Sequence, residues 1–343
     1  MLWSCFPSKF FEDFCNETSI HGFNHIVTPK RHFLEKLGWF LATFMAVVGA
    51  VLLCLQQWMR YDASPTVVAL EKDYRSWNNS FLAITICTVV RYPENPKDYI
   101  LKTWGIQEDD ATYQYYARFV QVVANATLLD LGGFEEFADD PNLKDIDLFQ
   151  MAMDIYPVSA ERLAWYDKSI NVSLVNVMTE LGLCQTVNSL VSRDQRVRLP
   201  NGANNGPASD MVSCMYTTHP CYVRLEHNNV TVTYYTHSPY DLADVSSERL
   251  VTMRPGKSMD SNWKVLETKS TRDVRGLSVE HRNCRYHEEP ISDRYQVYSG
   301  SICRRICKSK VSIKLCGCRP FFYFQEAGHA CGPAGMACLS RRK

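Results

Sequence analysis

From Leu37 to Met59 the chain carries no charged residue, reading "LGWFLATFMAVVGAVLLCLQQWM". At a rise of ~1.5 Å per residue, a helix of this length crosses the ~30 Å hydrocarbon core of a bilayer with some tilt. A cleaved signal peptide would need a shorter apolar stretch nearer the N-terminus and a small-residue cleavage site. The run therefore reads as a transmembrane helix. Trp39 and Trp58 bracket it, where amphipathic indoles suit the two interfaces. Lys30, Arg31 and Lys36 crowd the N-terminal flank, whereas Arg60 is followed by Asp62, Glu71, Lys72 and Asp73. The positive-inside rule then divides the chain into a cytosolic segment 1–36, a span 37–59 and an extracellular domain 60–343.

Two further signals agree with that orientation. Sequons at Asn78, Asn125, Asn171 and Asn229 fall on the lumenal side and are expected to carry glycans, while one at Asn16 falls on the cytosolic side and should stay bare. Eleven of the fourteen cysteines lie beyond residue 60, in what would be an oxidising compartment. The 37 basic and 37 acidic side chains leave no net field, which removes the electrostatic argument for a nucleic-acid partner.

In the N-terminal segment, Phe6, Phe10, Phe11 and Phe14 recur at helical spacing, as in a small amphipathic helix on the bilayer or a neighbouring protomer. "FLAITICTVVRYP", Phe81 to Pro93, is rich in β-branched residues and reads as a buried strand. Asp109 to about Leu131 has an acidic start and Tyr116, Phe119, Val120 and Val123 at helical spacing, predicting a packed helix. Arg196 to Asp210 is a Gly/Asn/Pro loop, followed by Val230, Val232 and Tyr234 alternating as in a strand. "WKVLETKST" from Trp263 and "GLSVEHRNC" from Gly276 also look strand-like, and from Ser301 the pattern turns helical. The fold class is a membrane protein with one transmembrane helix and a large, disulfide-rich, mixed α+β extracellular domain.

The C-terminal block spaces its cysteines C-x3-C-x8-C-x-C-x12-C-x6-C, from Cys303 to Cys338. Zinc with His329 as an extra ligand is the competing explanation, but the spacing matches no common finger and the compartment favours disulfides. No metal and no cofactor is expected.

With these residues in hand, the chain resembles the degenerin/epithelial sodium channel family, most closely its insect pickpocket branch. The resemblance is carried, in the family's order, by "FCNETSIHG", "FLAITICT", "GLCQTVNS", "HSPYDLADVS", "RNCRYHEE" and "CRRICKSKVSIKLCGCRPFFY". It implies a homo- or heterotrimeric channel passing sodium ions across the plasma membrane, with cytosolic termini, two membrane helices and a hand-like extracellular domain of palm, finger and thumb. It also implies disulfides joining Cys87 to Cys184, and Cys316 to Cys338 around Cys318 to Cys331. Cys214 and Cys221 most simply pair with each other, as a local inference. Cys284, Cys303 and Cys307 are left over, because their family partners lie just after the position of Cys338. No second uncharged run of ~18 residues follows Met59, so the pore-lining helix is expected to be missing, through an incomplete gene product or a natural isoform. A further family pair with C-x6-C spacing is replaced at Ala164 and Asn171 together, as when a disulfide is lost as a unit.

In the family the His-Gly motif, here His21 and Gly22, lies in a cytosolic loop that re-enters toward the pore and supports gating. Glycine admits a positive φ and close backbone approach, which a tight re-entrant turn requires, and irregular backbone at membrane depth is tolerated against protein or a water-filled path. An ordinary turn with an exposed histidine is the bland alternative, and the family pattern outweighs it. Tyr61 stands either as an aromatic contact coupling ectodomain to membrane helix or as a plain interfacial tyrosine. The pairs Glu135/Glu136, Asp139/Asp140 and Glu288/Glu289 invite a proton-sensing role through mutual pKa elevation, but such clusters are mostly solvated surface. There is no HExxH, GxSxG or phosphate-binding glycine loop, so an enzyme is not expected. The alternative from another class is a single-span type II surface protein, acting as a receptor, an adhesion module or a non-conducting partner of full-length subunits.

Overall fold

"AITICT" has four β-branched residues in six and supplies the central strand of a five-stranded antiparallel sheet. The computed structural model describes residues 8–28, 31–70, 72, 75, 77–156, 162–192, 211–215, 217, 221–227 and 230–342. The sequence-predicted loop Arg196 to Asp210, Phe6 and Asn229 lie outside the described residues. The chain forms two units, Met1–Leu70 with Lys269–Cys284, and Glu71–Thr268 with Arg285–Lys343.

The first unit contains α1 (Ser8–Glu17), α2 (Phe23–Val27) and the long apolar α3 (Phe33–Ala63). The 31-residue α3 overruns the uncharged stretch at both ends. His32 caps it, its side chain accepting from the Leu34 amide, and Arg31 pairs with Glu35 across the first turn. Residues 269–284 complete this unit with two single-turn helices, Arg272–Arg275 and Val279–Arg282.

The second unit is mixed α+β. Its sheet is ordered β4 (Val175–Thr179), β5 (Gly182–Val187), β2 (Ala83–Thr88), β8 (Val232–His237) and β9 (Arg249–Met253). The two-residue period of a strand sorts the side chains between its faces. Ile84, Ile86, Val187, Val232 and Tyr234 pack on one face, while Cys87, Val177 and Cys184 pack on the other with Leu242, Tyr295 and Ile302. Two short sheets flank it, pairing β1 (Asn78–Ser80) with β6 (Ser213–Met215) and β3 (Arg162–Trp165) with β7 (Val223–Glu226).

The largest core joins α4 (Pro96–Trp104), α5 (Tyr113–Asn125) and α6 (Leu148–Asp154) to residues 318–339. Phe119, Phe134 and Phe137 are fully buried there, each contributing about 2–3 kcal/mol of transfer free energy. The helix expected from Asp109 to Leu131 is shorter: Asp110 accepts from the amide and hydroxyl of Thr112, turning the chain just before α5 begins.

Two strand readings are corrected. Residues 263–271 are irregular and exposed, and "GLSVEHRNC" instead forms the Val279–Arg282 helical turn, with Ser278 capping the His281 amide. A two-residue alternation specifies the faces of a strand but no neighbour to pair with. The Ser278 hydroxyl competes for the backbone and starts a helix. From Gly300 to Cys316 the expected helix forms, capped by Ser299 and ended by Gly317 at φ 72°.

Candidate functional site

The His-Gly turn lies between α1 and α2, where Gly22 takes φ 102° as the N-cap of α2. Only glycine adopts this conformation without strain. A β-carbon built there would also stand 2.5 Å from Thr43 Oγ1. Thr43 is the one buried residue of α3, and its hydroxyl donates to the Trp39 carbonyl at 2.8 Å. One turn of α2 further on, the His25 and Trp39 rings lie 4.5 Å apart. Phe14 meets Phe23 edge-on at 6.3 Å, and Cys15 is fully buried, which pushes its thiol pKa up. The segment before the span therefore folds back onto the first turns of the apolar helix. His21 itself is exposed, its Nδ1 3.4 Å from the Ser19 carbonyl.

At the other end of α3, Tyr61 has its ring 6.3 Å from that of His281, whose Nε2 lies 3.3 Å from Asp62 Oδ1. His281 was missed in the sequence because 219 residues separate it from Asp62 and no linear pattern joins them. Arg282 folds its own loop around it, donating to the carbonyls of Cys284 and Leu277.

Four disulfides lie in the second unit: Cys87–Cys184 between β2 and β5, Cys214–Cys221, Cys316–Cys338 and Cys318–Cys331. Cys284, Cys303 and Cys307 carry exposed free thiols, as does Cys54. Asn78 and Asn171 are exposed, whereas the amide of Asn125 is half-buried and hydrogen-bonded. Of the acidic pairs, Glu135, Glu136, Asp139 and Glu288 are exposed, and Glu136 pairs with Arg118 at 2.9 Å.

The other sequence motifs are fastened to one another inside this unit. In "GLCQTVNS", Gly182 at φ 93° leaves room for the buried Arg91, whose guanidinium donates to the Leu183 and Leu181 carbonyls. Asn188 donates to the Phe81 carbonyl and accepts from the Val212 amide. In "HSPYDLADVS", Asp241 accepts from Ser301, and Asp244 accepts from Ser246, Ser247 and Arg304, tying this loop to the start of the 300–316 helix. The buried Glu180, at the β4–β5 turn, accepts from Lys308 at 2.7 Å and from Tyr323 at 2.8 Å. Burial and the neighbouring Glu180 charge push the Tyr323 phenol far above its ordinary range.

Nothing in these networks resembles a nucleophile–base pair or an anion cradle. Within the second unit they brace a sheet and a disulfide-bonded helix, and within the first a loop folds onto the long apolar helix. Residues 14–343 match the family described as "Amiloride-sensitive sodium channel". A curated relative, "Sodium channel protein Nach" of Drosophila melanogaster, is 22% identical over 348 residues, covering 91% of this chain and 63% of its own length. The chain thus spans less than two thirds of that relative.

Proposed function

The chain belongs to the amiloride-sensitive sodium channel family, the degenerin and epithelial sodium channels, which are ion channels and not enzymes; on that premise we propose that it is a subunit of a sodium-selective cation channel, assembled as a homo- or heterotrimer with related subunits. It passes sodium down its gradient across the plasma membrane, with the N-terminus cytosolic and the residues after about 60 extracellular.

The observation that carries this reading is the seating of Gly22 on Thr43. A loop held at van der Waals distance from a membrane helix, with His25 stacked on Trp39, must move when the helix turns or shifts. Such coupling is what a gating element needs, and it would be a needless constraint in a single-span adhesion protein. His21, the exposed neighbour of Gly22, belongs to the same gating element. Tyr61 with His281 plays the matching part at the outer end of α3, linking that helix to residues 269–284.

The test is voltage clamp of cells expressing the complete gene product, alone and with related subunits. An inward current carried by sodium and lost on replacing sodium with a large organic cation supports the proposal. A chain that reaches the surface, associates with no related subunit and leaves their sodium currents unchanged would favour the single-span receptor or adhesion reading.

A further inference from the structure

Three of the lumenal sequons lie in described residues, and their asparagines sit in different surroundings. Asn171 is exposed in the irregular stretch between β3 and β4. Asn78 is exposed at the start of β1, which pairs with β6 in a two-stranded sheet. Asn125 ends α5, and every hydrogen-bonding group of its amide is engaged. Its Nδ2 donates to the Arg91 carbonyl at 2.8 Å and to the Gln121 carbonyl at 3.0 Å, and its Oδ1 accepts from the Arg91 amide at 2.8 Å.

This is a two-way bracket on the backbone of Arg91. Arg91 is 3% exposed, and its guanidinium runs inward to the β4–β5 turn. Gln121 Nε2 donates to the same Arg91 carbonyl at 2.8 Å, so the end of α5 grips this residue with two amides.

N-glycosylation replaces one hydrogen of the Asn amide. A bond forms between Nδ2 and the first sugar carbon, the bond from that carbon to a lipid-linked pyrophosphate breaks, and a proton leaves with the pyrophosphate lipid. At Asn125 the product would keep one N–H for two acceptors and would have to fit a sugar between α5 and Arg91. At Asn78 and Asn171 the exposed amide leaves room for it.

We infer that Asn78 and Asn171 carry N-linked oligosaccharides in the folded protein, while Asn125 stays bare and serves instead as the clamp that fixes Arg91. The inference rests on the extracellular placement proposed above for the residues after 60.

The experiment isolates the surface-exposed pool of the full chain from cultured cells and removes glycans enzymatically in heavy-oxygen water, which marks each formerly occupied asparagine. Label at Asn78 and Asn171 and none at Asn125 is the expected result. Label at Asn125 in that pool, or none at Asn78 or Asn171 when the other carries it, overturns the inference alone. Label at none of the four sequons after residue 60, or at Asn16, overturns the orientation with it, and label at Asn229 alone overturns only the inference.

Two variants separate glycan from clamp. Thr127→Val destroys the Asn125 sequon without touching its amide, and is expected to leave electrophoretic mobility and surface amount unchanged. Asn125→Gln destroys both, and is expected to lower surface amount severalfold with no glycan lost from the remaining chain. Equal behaviour of the two variants, with a glycan-sized mobility step in each, would overturn the clamp.

Discussion

Gly22 faces Thr43 so closely that a β-carbon on the glycine would lie 2.5 Å from the threonine hydroxyl oxygen. Two separate obstacles therefore guard this position, a backbone at φ 102° and a steric collision. The first costs an alanine about 1–2 kcal/mol. The second can be relieved from the other side. Gly22→Ala is expected to reduce open probability sharply in the complete channel, and the Gly22→Ala/Thr43→Ala double variant to recover part of it. Single-channel recording of both checks this. Equal gating in the wild type and Gly22→Ala would remove the loop from the mechanism, and no recovery in the double variant would leave backbone conformation as the whole effect.

At the C-terminal end of α3, the Tyr61–His281–Asp62 contact is half-exposed, so it contributes little stability. Exposed pairs of this kind are worth about 0–1 kcal/mol. His281→Ala should leave thermal unfolding of the detergent-solubilised protein nearly unchanged while altering the current evoked by whatever opens the channel. A large loss of stability with unaltered gating would mark the contact as structural only.

Glu180 is 2% exposed and takes its compensation from Lys308 and Tyr323. Removing one partner of a buried pair leaves an unmatched charge, at a cost of about 3–5 kcal/mol. Lys308 is a third exposed, which lets water take up part of the loss, so about 2–3 kcal/mol is expected for Lys308→Met. Tyr323→Phe removes one hydrogen bond to a charged group and should cost about 1.5–3 kcal/mol. Adding Glu180→Gln to Lys308→Met should restore much of the loss. Thermal unfolding of these variants together with Glu180→Gln alone measures the coupling, and simple additivity of the Glu180→Gln and Lys308→Met losses would show that the hub does not act as a unit.

Much of this architecture could be read from residue order, for physical reasons that differ between elements. The β-branched run at Ala83–Thr88 buries both faces, and a strand so patterned has one place to go, the middle of a sheet. The Ser299 cap and the Gly317 terminator bound the Gly300–Cys316 helix by local hydrogen bonding alone. Trp263 and Val265 show the opposite case. Their alternation promised a strand, yet both are nearly half exposed in irregular chain, because pairing depends on a neighbour that local pattern does not supply. The contacts that matter most to the site lie further from view. Glycine at position 22 was legible as a turn, but Thr43 as its seat was not, since any small residue on the span would have looked the same. Nor did the sequon at Asn125 disclose that Arg91, 34 residues earlier, already occupies its amide.

His237 gives the five-stranded sheet a pH dependence whose sign follows from its surroundings. Its Nδ1 bonds the Ser238 carbonyl at 2.9 Å, and its Nε2 lies 2.8 Å from Thr85 Oγ1, which in turn meets Thr186 Oγ1 at 3.0 Å. Burial holds the imidazole below its ordinary pKa, against the Ser238 carbonyl and the Asp241 and Asp244 charges that favour the protonated ring. The unfolded chain therefore binds this proton more tightly than the folded one. Stability from this group is complete above about pH 6.5, the unfolded value, falls as pH drops from there to the depressed folded value, and is flat below it. The slope in that window is at most about 1.4 kcal/mol per pH unit. His237→Gln keeps a hydrogen-bonding side chain and removes the titration. Melting temperatures of the solubilised protein and this variant, followed from about pH 7.5 to 5, should diverge above the window and converge toward its acid end. A wild-type melting temperature that rises on acidification through this range, relative to the variant, would mean that the fold binds the His237 proton more tightly than the unfolded chain does, and a level difference that burial leaves the ring unshifted.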